Sequence, residues 1–339
     1  MAKGQFIIVG ENIHCTRIRL TAGKFVVTLP DGRSALVFKY KGCPCTLPIP
    51  PAVVAGEEWR NGKVRHMAVA VWQGLYGTGD DRAAGVAYLE AMAREQEAAG
   101  AHFLDLNVDE FSMDHAEKLR AVVWTAEALQ RASTLPLSID SSNPDILKAG
   151  INACDRARGK PMINSVSLER AATIPVAAAA GAKIIASATG ASGMPESVSA
   201  RLSNVAELMA SLERHGFTRD DIYLDPLVFP ISVDGANGLA VLDAIRAMRD
   251  VYGPEIHFAP GLSNISFGLP KRPLINQVFT RLCRERGCDG GIVDPLQIND
   301  AILDGLDPAS EPFRLVMDLL LGRDEYGMNY IMATRDGTI

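Results

Sequence analysis

Short apolar runs alternate with amphipathic stretches along most of this chain, and this rhythm restricts the folds that it can adopt. Eight apolar runs lie at 6–9, 101–106, 135–139, 162–163, 183–186, 222–224, 256–258 and 291–293. Each of the last seven runs is followed by a segment in which apolar residues recur at helical spacing. These segments lie at about 113–131, 144–155, 168–180, 196–214, 236–251, 272–286 and 297–321. The helix that serves the first run is expected later, at about 81–99. An open doubly wound sheet shares this alternation, but a count of eight units favours an α/β fold of the (β/α)₈ TIM-barrel type.

The first unit is interrupted by residues 14–80, hereafter the insertion, which do not follow the rhythm. Within it, two β-rich stretches flank Asp31-Gly32-Arg33, and an Asp-Gly pair at this place predicts a β-hairpin. An insertion after the first strand of a barrel lies at the mouth, where the active sites of such barrels are found. We therefore expect a barrel over 1–322, a mouth insertion at 14–80 and a C-terminal tail at 323–339.

Composition and charge exclude several classes of protein. The 339 residues are 47% apolar, which is enough to fill a large core, and the formal net charge of −6 argues against a nucleic-acid surface. No apolar stretch is long enough for a transmembrane helix, and the apolar run near the start is too short for a secretory signal. Six cysteines in a chain of this length do not indicate a disulfide scaffold. The expectation is a cytoplasmic protein that binds neither membrane nor nucleic acid.

Polar side chains follow the apolar runs, at the carboxyl end of each predicted strand. Any one of them has a structural explanation, since Asp140 and Asn143 could cap a helix and Asp105 could brace a loop. Capping alone does not explain why they occur at all eight strand ends. In a barrel these ends converge on one cavity. The set comprises Glu11-Asn12, Asp105 to Asp109, Asp140 to Asn143, Asn164-Ser165, Ser187 and Thr189, Asp225, Ser263-Asn264 and Asp294.

The residue types in this set indicate the kind of ligand. Carboxylates and carboxamides, without clustered lysines and arginines, suit a neutral heterocycle rich in N–H donors better than a phosphorylated substrate. The edge of a pterin carries an amino group and ring N–H groups beside a carbonyl. One carboxylate can accept two parallel hydrogen bonds from that edge, while an amide can donate and accept.

At these residues the chain resembles the pterin-binding methyltransferases, which include methyltetrahydrofolate:corrinoid protein methyltransferases and the folate module of cobalamin-dependent methionine synthase. The resemblance covers nearly everything except residues 14–80 and about the last twenty. It implies a (β/α)₈ barrel that binds a pterin in its mouth, and a homodimer. It is carried, in family order, by the segments at 7–12, 100–108, 137–143, 161–165, 222–230, 261–266 and 272–276.

The resemblance also assigns roles to individual residues. Asp140, Asn164 and Asp225 match residues that bind the pterin ring, and Asn264 matches an asparagine that bonds N5. Asn264 and Asp140 are the expected catalytic residues, because an amide can stabilise charge on N5 and a nearby carboxylate can assist proton transfer. The remaining pterin-binding candidates, with Arg272 as a supporting residue, are Glu11, Asp105, Asn107 and Arg272.

The activity that this resemblance implies is methyl transfer between N5 of tetrahydrofolate and the cobalt of a corrinoid. Tetrahydrofolate or methyltetrahydrofolate would be a substrate, and the direction of transfer stays open. The chain has no Asp-x-His-x-x-Gly signature of cobalamin binding. The corrinoid is therefore expected on a separate partner protein.

Three other interpretations fit parts of the sequence. Dihydropteroate synthase shares the expected fold, but its Ser-Arg-Lys-type segment after strand seven reads Ser263-Asn-Ile-Ser266 here. A pterin-binding module without catalysis would not require the full set of polar strand ends. A zinc site could be built from His14, Cys15, Cys43, Cys45 and His66, but Cys43-Pro-Cys45 lacks the spacing of a zinc ribbon. The expectation is therefore that no metal is bound. Cys43 and Cys45 would be the candidate ligands if one were.

Overall fold

Strands and helices alternate through residues 4–339, the part of the chain that the computed structural model describes. The strands are β1 (Ile7–His14), β2 (Ile18–Leu20), β3 (Val26–Thr28), β4 (Ser34–Tyr40), β5 (Cys43–Pro48), β6 (Lys63–Arg65), β7 (Phe103–Asn107), β8 (Leu137–Asp140), β9 (Met162–Val166), β10 (Lys183–Ser187), β11 (Ile222–Asp225), β12 (His257–Phe258) and β13 (Gly290–Val293). The α-helices are α1 (Pro51–Val54), α2 (Glu57–Arg60), α3 (His66–Tyr76), α4 (Gly79–Ala98), α5 (His115–Ala132), α6 (Pro144–Asn152), α7 (Ile174–Ala179), α8 (Val198–Arg214), α9 (Asn237–Tyr252), α10 (Arg272–Glu285), α11 (Asp300–Asp304), α12 (Glu311–Leu320) and α13 (Met328–Arg335).

Eight of the strands form one sheet, in the order β12-β11-β10-β9-β8-β7-β1-β13. Each strand of this sheet after β1 lies next to its predecessor in the rhythm, with helices in between, except for β13, which pairs with β1. A parallel bridge between Gly261 and Ile292 joins the segment after β12 to the other edge of the sheet. The predicted (β/α)₈ barrel is therefore confirmed. Its strands are buried along most of their length, as expected when helices cover a parallel sheet.

The packing divides the chain into two units, which are described separately: an N-terminal unit, Glu11–Met162, and a C-terminal unit, Ile163–Ile339 together with the segment up to Gly10. In the N-terminal unit β7 and β8 pair in parallel, in a register that sets Asn107 opposite Asp140. Helices α3, α4 and α5 approach closely through glycines. A Cβ on Gly74 would lie 1.9 Å from the ring of Trp124, and one on Gly85 would lie 2.7 Å from the backbone of Gly74.

The insertion holds strands β2 to β6 and helices α1 to α3. Strands β3, β4 and β5 form an antiparallel sheet, and β2 pairs with β6. The Asp31-Gly32-Arg33 turn joins β3 to β4, and Gly32 has the positive φ of 84° that such a turn requires. This sheet lies against α4, where Phe38 contacts Tyr88 edge to face at 4.9 Å between ring centroids.

In the C-terminal unit β10, β11 and β12 pair in parallel and β1 pairs with β13. The single helix expected at 297–321 is divided into α11 and α12, because Gly305 follows α11 and Ser310 starts a new helix by capping the N–H of Phe313. The segment expected as a tail at 323–339 contains α13. Its Tyr330 is fully buried and donates a hydrogen bond to the Pro270 carbonyl at 2.9 Å.

The helices of the described residues 4–339 include none that combines the length and the apolar character needed to cross a lipid bilayer.

Candidate functional site

A hydrogen-bonded pair lies at the carboxyl ends of β7 and β8 in the N-terminal unit. The Asn107 side-chain amide donates to Asp140 Oδ2 at 2.9 Å, and its own oxygen accepts from the backbone N–H of Asp109 at 3.0 Å. The parallel register that sets these two residues opposite each other explains the contact. Because its oxygen is held by the backbone, the Asn107 amide has a fixed orientation and its NH₂ group faces the carboxylate.

His14 and the buried Asp105 extend this pair into a cluster. His14 Nε2 lies 2.9 Å from Asp105 Oδ2, and one ligand atom each from His14, Asp105 and Asp140 lies within 4.8 Å of the others. We call these three residues, with Asn107, the His14 cluster. Three of its members, Asp105, Asn107 and Asp140, were predicted from the sequence, whereas His14 was considered only as a zinc ligand. Strand alternation could have found it, since His14 lies on the same face of β1 as Asn12.

Two members of the His14 cluster have raised pKa values. Burial, followed by the charge of Asp105, raises the pKa of Asp140 to about 7, although the charge of His14 and the Asn107 hydrogen bond lower it. Burial alone would lower the pKa of His14, but the hydrogen bond and charge of Asp105 outweigh it, and the His14 pKa is raised. The cluster can therefore take up and release a proton near pH 7, as a general acid or base must.

Neighbouring residues of the same unit hold the loops around the cluster. Arg17 binds Glu11, with its guanidinium 2.9 Å from the Glu11 carboxylate and 3.0 Å from the Glu11 carbonyl. Asp109 accepts hydrogen bonds from the Ser141 hydroxyl at 2.5 Å and the Ser142 N–H at 3.0 Å, so the loop after β7 is tied to the loop after β8. Asn143 caps α6 through Asp145 and Ile146, which is the structural role considered for it above.

The C-terminal unit holds a second polar group at the ends of β9 and β11, where Asn164 and Asp225 lie. Burial raises the pKa of Asp225 to about 6, while the N–H of Leu227 and the charges of Arg201 and Arg170 oppose the shift. Asp225 Oδ1 accepts from that N–H at 2.9 Å.

Arg201 was not predicted as a site residue, although its position on α8 was a usable signal. It interrupts an apolar helix face and is only 3% exposed. Its Nε donates to the Pro226 carbonyl at 2.8 Å, next to Asp225 in the chain. A buried arginine in this position places positive charge beside a carboxylate and fixes the loop that follows β11.

Asn264 and Arg272 belong to one loop of the C-terminal unit. Asn264 is exposed in the short helical turn Leu262–Ser266. The Arg272 guanidinium donates to the Ser263 carbonyl at 2.9 Å and to the Ser266 hydroxyl at 3.0 Å. Arg272 therefore holds the turn that presents Asn264.

The cysteines considered for zinc do not assemble with the other candidates. Among residues 4–339 only His14, Asp105 and Asp140 form a group of three or more potential metal ligands, and Cys43 and Cys45 lie outside it on β5. Burial raises the pKa of Cys15 to about 12, so its thiol stays protonated. His66 is buried and bonds Tyr88 at 3.0 Å, and burial lowers its pKa to about 3.

Comparisons with known proteins agree with the resemblance seen in the sequence. The family described as "Pterin binding enzyme" matches residues 81–294. A methylcorrinoid:tetrahydrofolate methyltransferase of Eubacterium limosum is 31% identical over 258 residues, which cover 75% of this chain and 89% of that protein. A methionine synthase of Mycobacterium tuberculosis is 31% identical over 222 residues, which cover 61% of this chain but only 18% of the synthase.

Solved structures match at the level of the fold. A dihydropteroate synthase from Xanthomonas albilineans in complex with 7,8-dihydropteroate aligns with a TM-score of 0.50 and 20% identity, covering 70% of this chain and 83% of that one. The dihydropteroate synthase of Stenotrophomonas maltophilia aligns with a TM-score of 0.51 and 19% identity, covering 71% and 89%. At such identities the likeness concerns architecture, because one fold carries many activities.

Proposed function

Because this chain belongs to the family of pterin-binding enzymes, we propose that it transfers a methyl group from a methylcorrinoid to N5 of tetrahydrofolate. The observation that carries the proposal is the match to the Eubacterium limosum enzyme of that name, which extends over 89% of its length. The corrinoid would be carried by a separate protein. The family resemblance also implies a homodimer, which light scattering on the purified chain would test.

The chemistry of this transfer requires a group that accepts a proton. The N5 lone pair of tetrahydrofolate forms the new bond to the methyl carbon, and both electrons of the broken carbon–cobalt bond stay on cobalt. The N5 nitrogen then loses its proton. The His14 cluster supports this step, since Asp140, with a pKa of about 7, can accept a proton at neutral pH. Much of the rate would come from holding N5 and the methyl group in line for the transfer.

The residues assigned by the resemblance would bind the pterin through its N–H groups. In the N-terminal unit, Asp140 would accept hydrogen bonds from the ring, and Asn107 would orient the Asp140 carboxylate and favour its charge through their 2.9 Å hydrogen bond. Asp105, whose charge raises the pKa of Asp140, and Glu11 on β1 are the other candidates of this unit. In the C-terminal unit, Asn164 and Asp225 would bind the ring. Asn264 would bond N5, and Arg272 would keep its turn in place.

Methyl transfer can be followed directly with the purified chain. Tetrahydrofolate and methylcobalamin are mixed with the enzyme under anaerobic conditions, and the absorbance of cob(I)alamin is recorded. The reverse reaction starts from methyltetrahydrofolate and cob(I)alamin. We expect conversion with the wild-type chain and at most a small fraction of it with Asn264→Ala.

A second arm separates this activity from that of the structural neighbours. The enzyme is incubated with hydroxymethyl-dihydropterin pyrophosphate and p-aminobenzoate, and dihydropteroate is measured. Formation of dihydropteroate without any methyl transfer would reject the proposal.

A further inference from the structure

The insertion and α4 line a half-open cavity of about 350 Å³ in the N-terminal unit. This volume is at the lower end of the range of about 300–1,000 Å³ for small-molecule sites. One wall is a face of α4, where the lining residues are spaced four and three apart, as neighbours on one helix face are. All the other lining residues belong to the insertion and lie before residue 81, where the family match begins. The lining comprises Arg19, Lys24, Phe25, Leu36, Val37, Phe38, Lys39, Pro44, Tyr88, Met92 and Glu95.

The floor of this insertion cavity contains two aromatic rings among aliphatic side chains. The rings of Phe38 and Tyr88 meet edge to face at 4.9 Å, and both are buried in the chain around them. The Tyr88 hydroxyl is paired with His66 Nδ1 at 3.0 Å, so the polar end of Tyr88 already has its partner. Such a floor suits a flat apolar body, because aromatic rings favour edge-to-face and offset contacts.

The rim carries an excess of positive charge. The Arg19 guanidinium lies 4.2 Å from the centre of the Phe25 ring, and Lys24 Nζ lies 5.5 Å from the same ring. Glu95 is the one acidic lining residue, which leaves a net charge of about two positive units on the lining. This contrasts with the formal net charge of −6 of the whole chain.

We propose that the insertion cavity binds a small amphipathic carboxylate. The flat apolar part of the ligand would lie against Phe38 and Tyr88, and its carboxylate would lie among the three cations of the rim. The contact with the Phe25 ring keeps Arg19 and Lys24 oriented. The positive rim attracts a carboxylate even though the protein as a whole is acidic, and this attraction favours binding. This site is independent of methyl transfer, so either proposal can fail without the other.

Calorimetric titration with 2-naphthoate and its uncharged counterpart 2-naphthamide tests the proposal. Tetrahydrofolate is kept saturating, so that the folate site is occupied. We expect 2-naphthoate to bind at least about tenfold more tightly than 2-naphthamide. The Lys24→Gln/Lys39→Gln double variant should lose about tenfold in affinity for 2-naphthoate only, since each exposed charge contributes modestly.

Two further variants complete the design. Lys41→Gln removes an exposed lysine that does not line the cavity, and it should leave both affinities unchanged. Met92→Trp should fill the cavity and abolish binding of both compounds. The titration of 2-naphthoate is repeated without tetrahydrofolate as a reference. Equal affinities for the two compounds, an affinity for 2-naphthoate that is lost when tetrahydrofolate is present, or no heat up to the solubility limit would each overturn the proposal.

Discussion

The affinity for tetrahydrofolate should depend on pH through two buried carboxylates. Asp140 and Asp225 are proposed to accept N–H groups of the pterin, and a carboxyl group does this best in its ionised form. Burial raises their pKa values to about 7 and about 6. Lowering the pH through this range protonates both groups in the free enzyme. Affinity should therefore be full above pH 8 and fall as the pH decreases.

The size of the effect follows from these two pKa values. Between pH 8 and pH 6 the ionised fraction of Asp140 falls from about nine-tenths to about one-tenth, which lowers affinity about tenfold. Over the same interval the ionised fraction of Asp225 falls from nearly one to about one half, which adds a factor of about two. Together the wild-type chain should lose roughly 20-fold, or somewhat under 2 kcal/mol.

Variants separate the two contributions. In Asp140→Asn, the affinity for tetrahydrofolate should change only about twofold between pH 6 and pH 8, since Asp225 alone still titrates. Anaerobic calorimetric titration measures this affinity. In Asp225→Asn the dependence should stay near tenfold. An Asp140→Asn enzyme with the full wild-type pH dependence would refute the reasoning that Asp140 binds the pterin as a titrating carboxylate.

Three further predictions test other parts of the account. The pKa of Asp140 is about 3.9 in an unfolded chain and is raised in the folded chain, so ionised Asp140 lowers stability increasingly as the pH rises from about 4 to 7. Asp140→Asn should therefore raise the melting temperature more at pH 8 than at pH 5, and equal shifts at the two pH values would contradict this. Asn264→Ala should lower the rate of methyl transfer about 10²–10³-fold with the Kd for tetrahydrofolate within about threefold, and an unchanged rate would exclude the proposed role at N5. Tyr330→Phe should cost about 1 kcal/mol in urea unfolding, because one partly buried hydrogen bond is lost, while Tyr326→Phe at an exposed position should cost nothing measurable.

Hydrophobic periodicity was sufficient to predict the fold, because strands buried on both faces and amphipathic helices leave different patterns. It was insufficient where helices are short. The helix expected at 297–321 is divided at Gly305 and Ser310, whose capping roles outweigh an apolar spacing that continues across them. The helix at Met328–Arg335 has only two buried side chains, and so small a set left no recognisable stripe in the sequence.

The candidate site was predictable where residues end a strand, as Asn107 ends β7 and Asp140 ends β8. The pairing of His14 with Asp105 joins residues 91 positions apart, and no local pattern specifies such a contact. Arg201 is similar, since its partner is the Pro226 carbonyl 25 positions away. The polar residues at the strand ends could thus be predicted from the sequence. Their distant partners, such as His14 and Arg201, could be identified only from the folded structure.

The fate of an isotopically labelled methyl group tests the central claim most directly. Methylcobalamin carrying ¹³C in its methyl group is incubated with tetrahydrofolate and the enzyme, and the product is examined by carbon NMR. The account predicts that the label appears on N5 of tetrahydrofolate with the wild-type chain and far more slowly with Asn264→Ala. Label that stays on cobalt, with tetrahydrofolate bound to the enzyme, would contradict it.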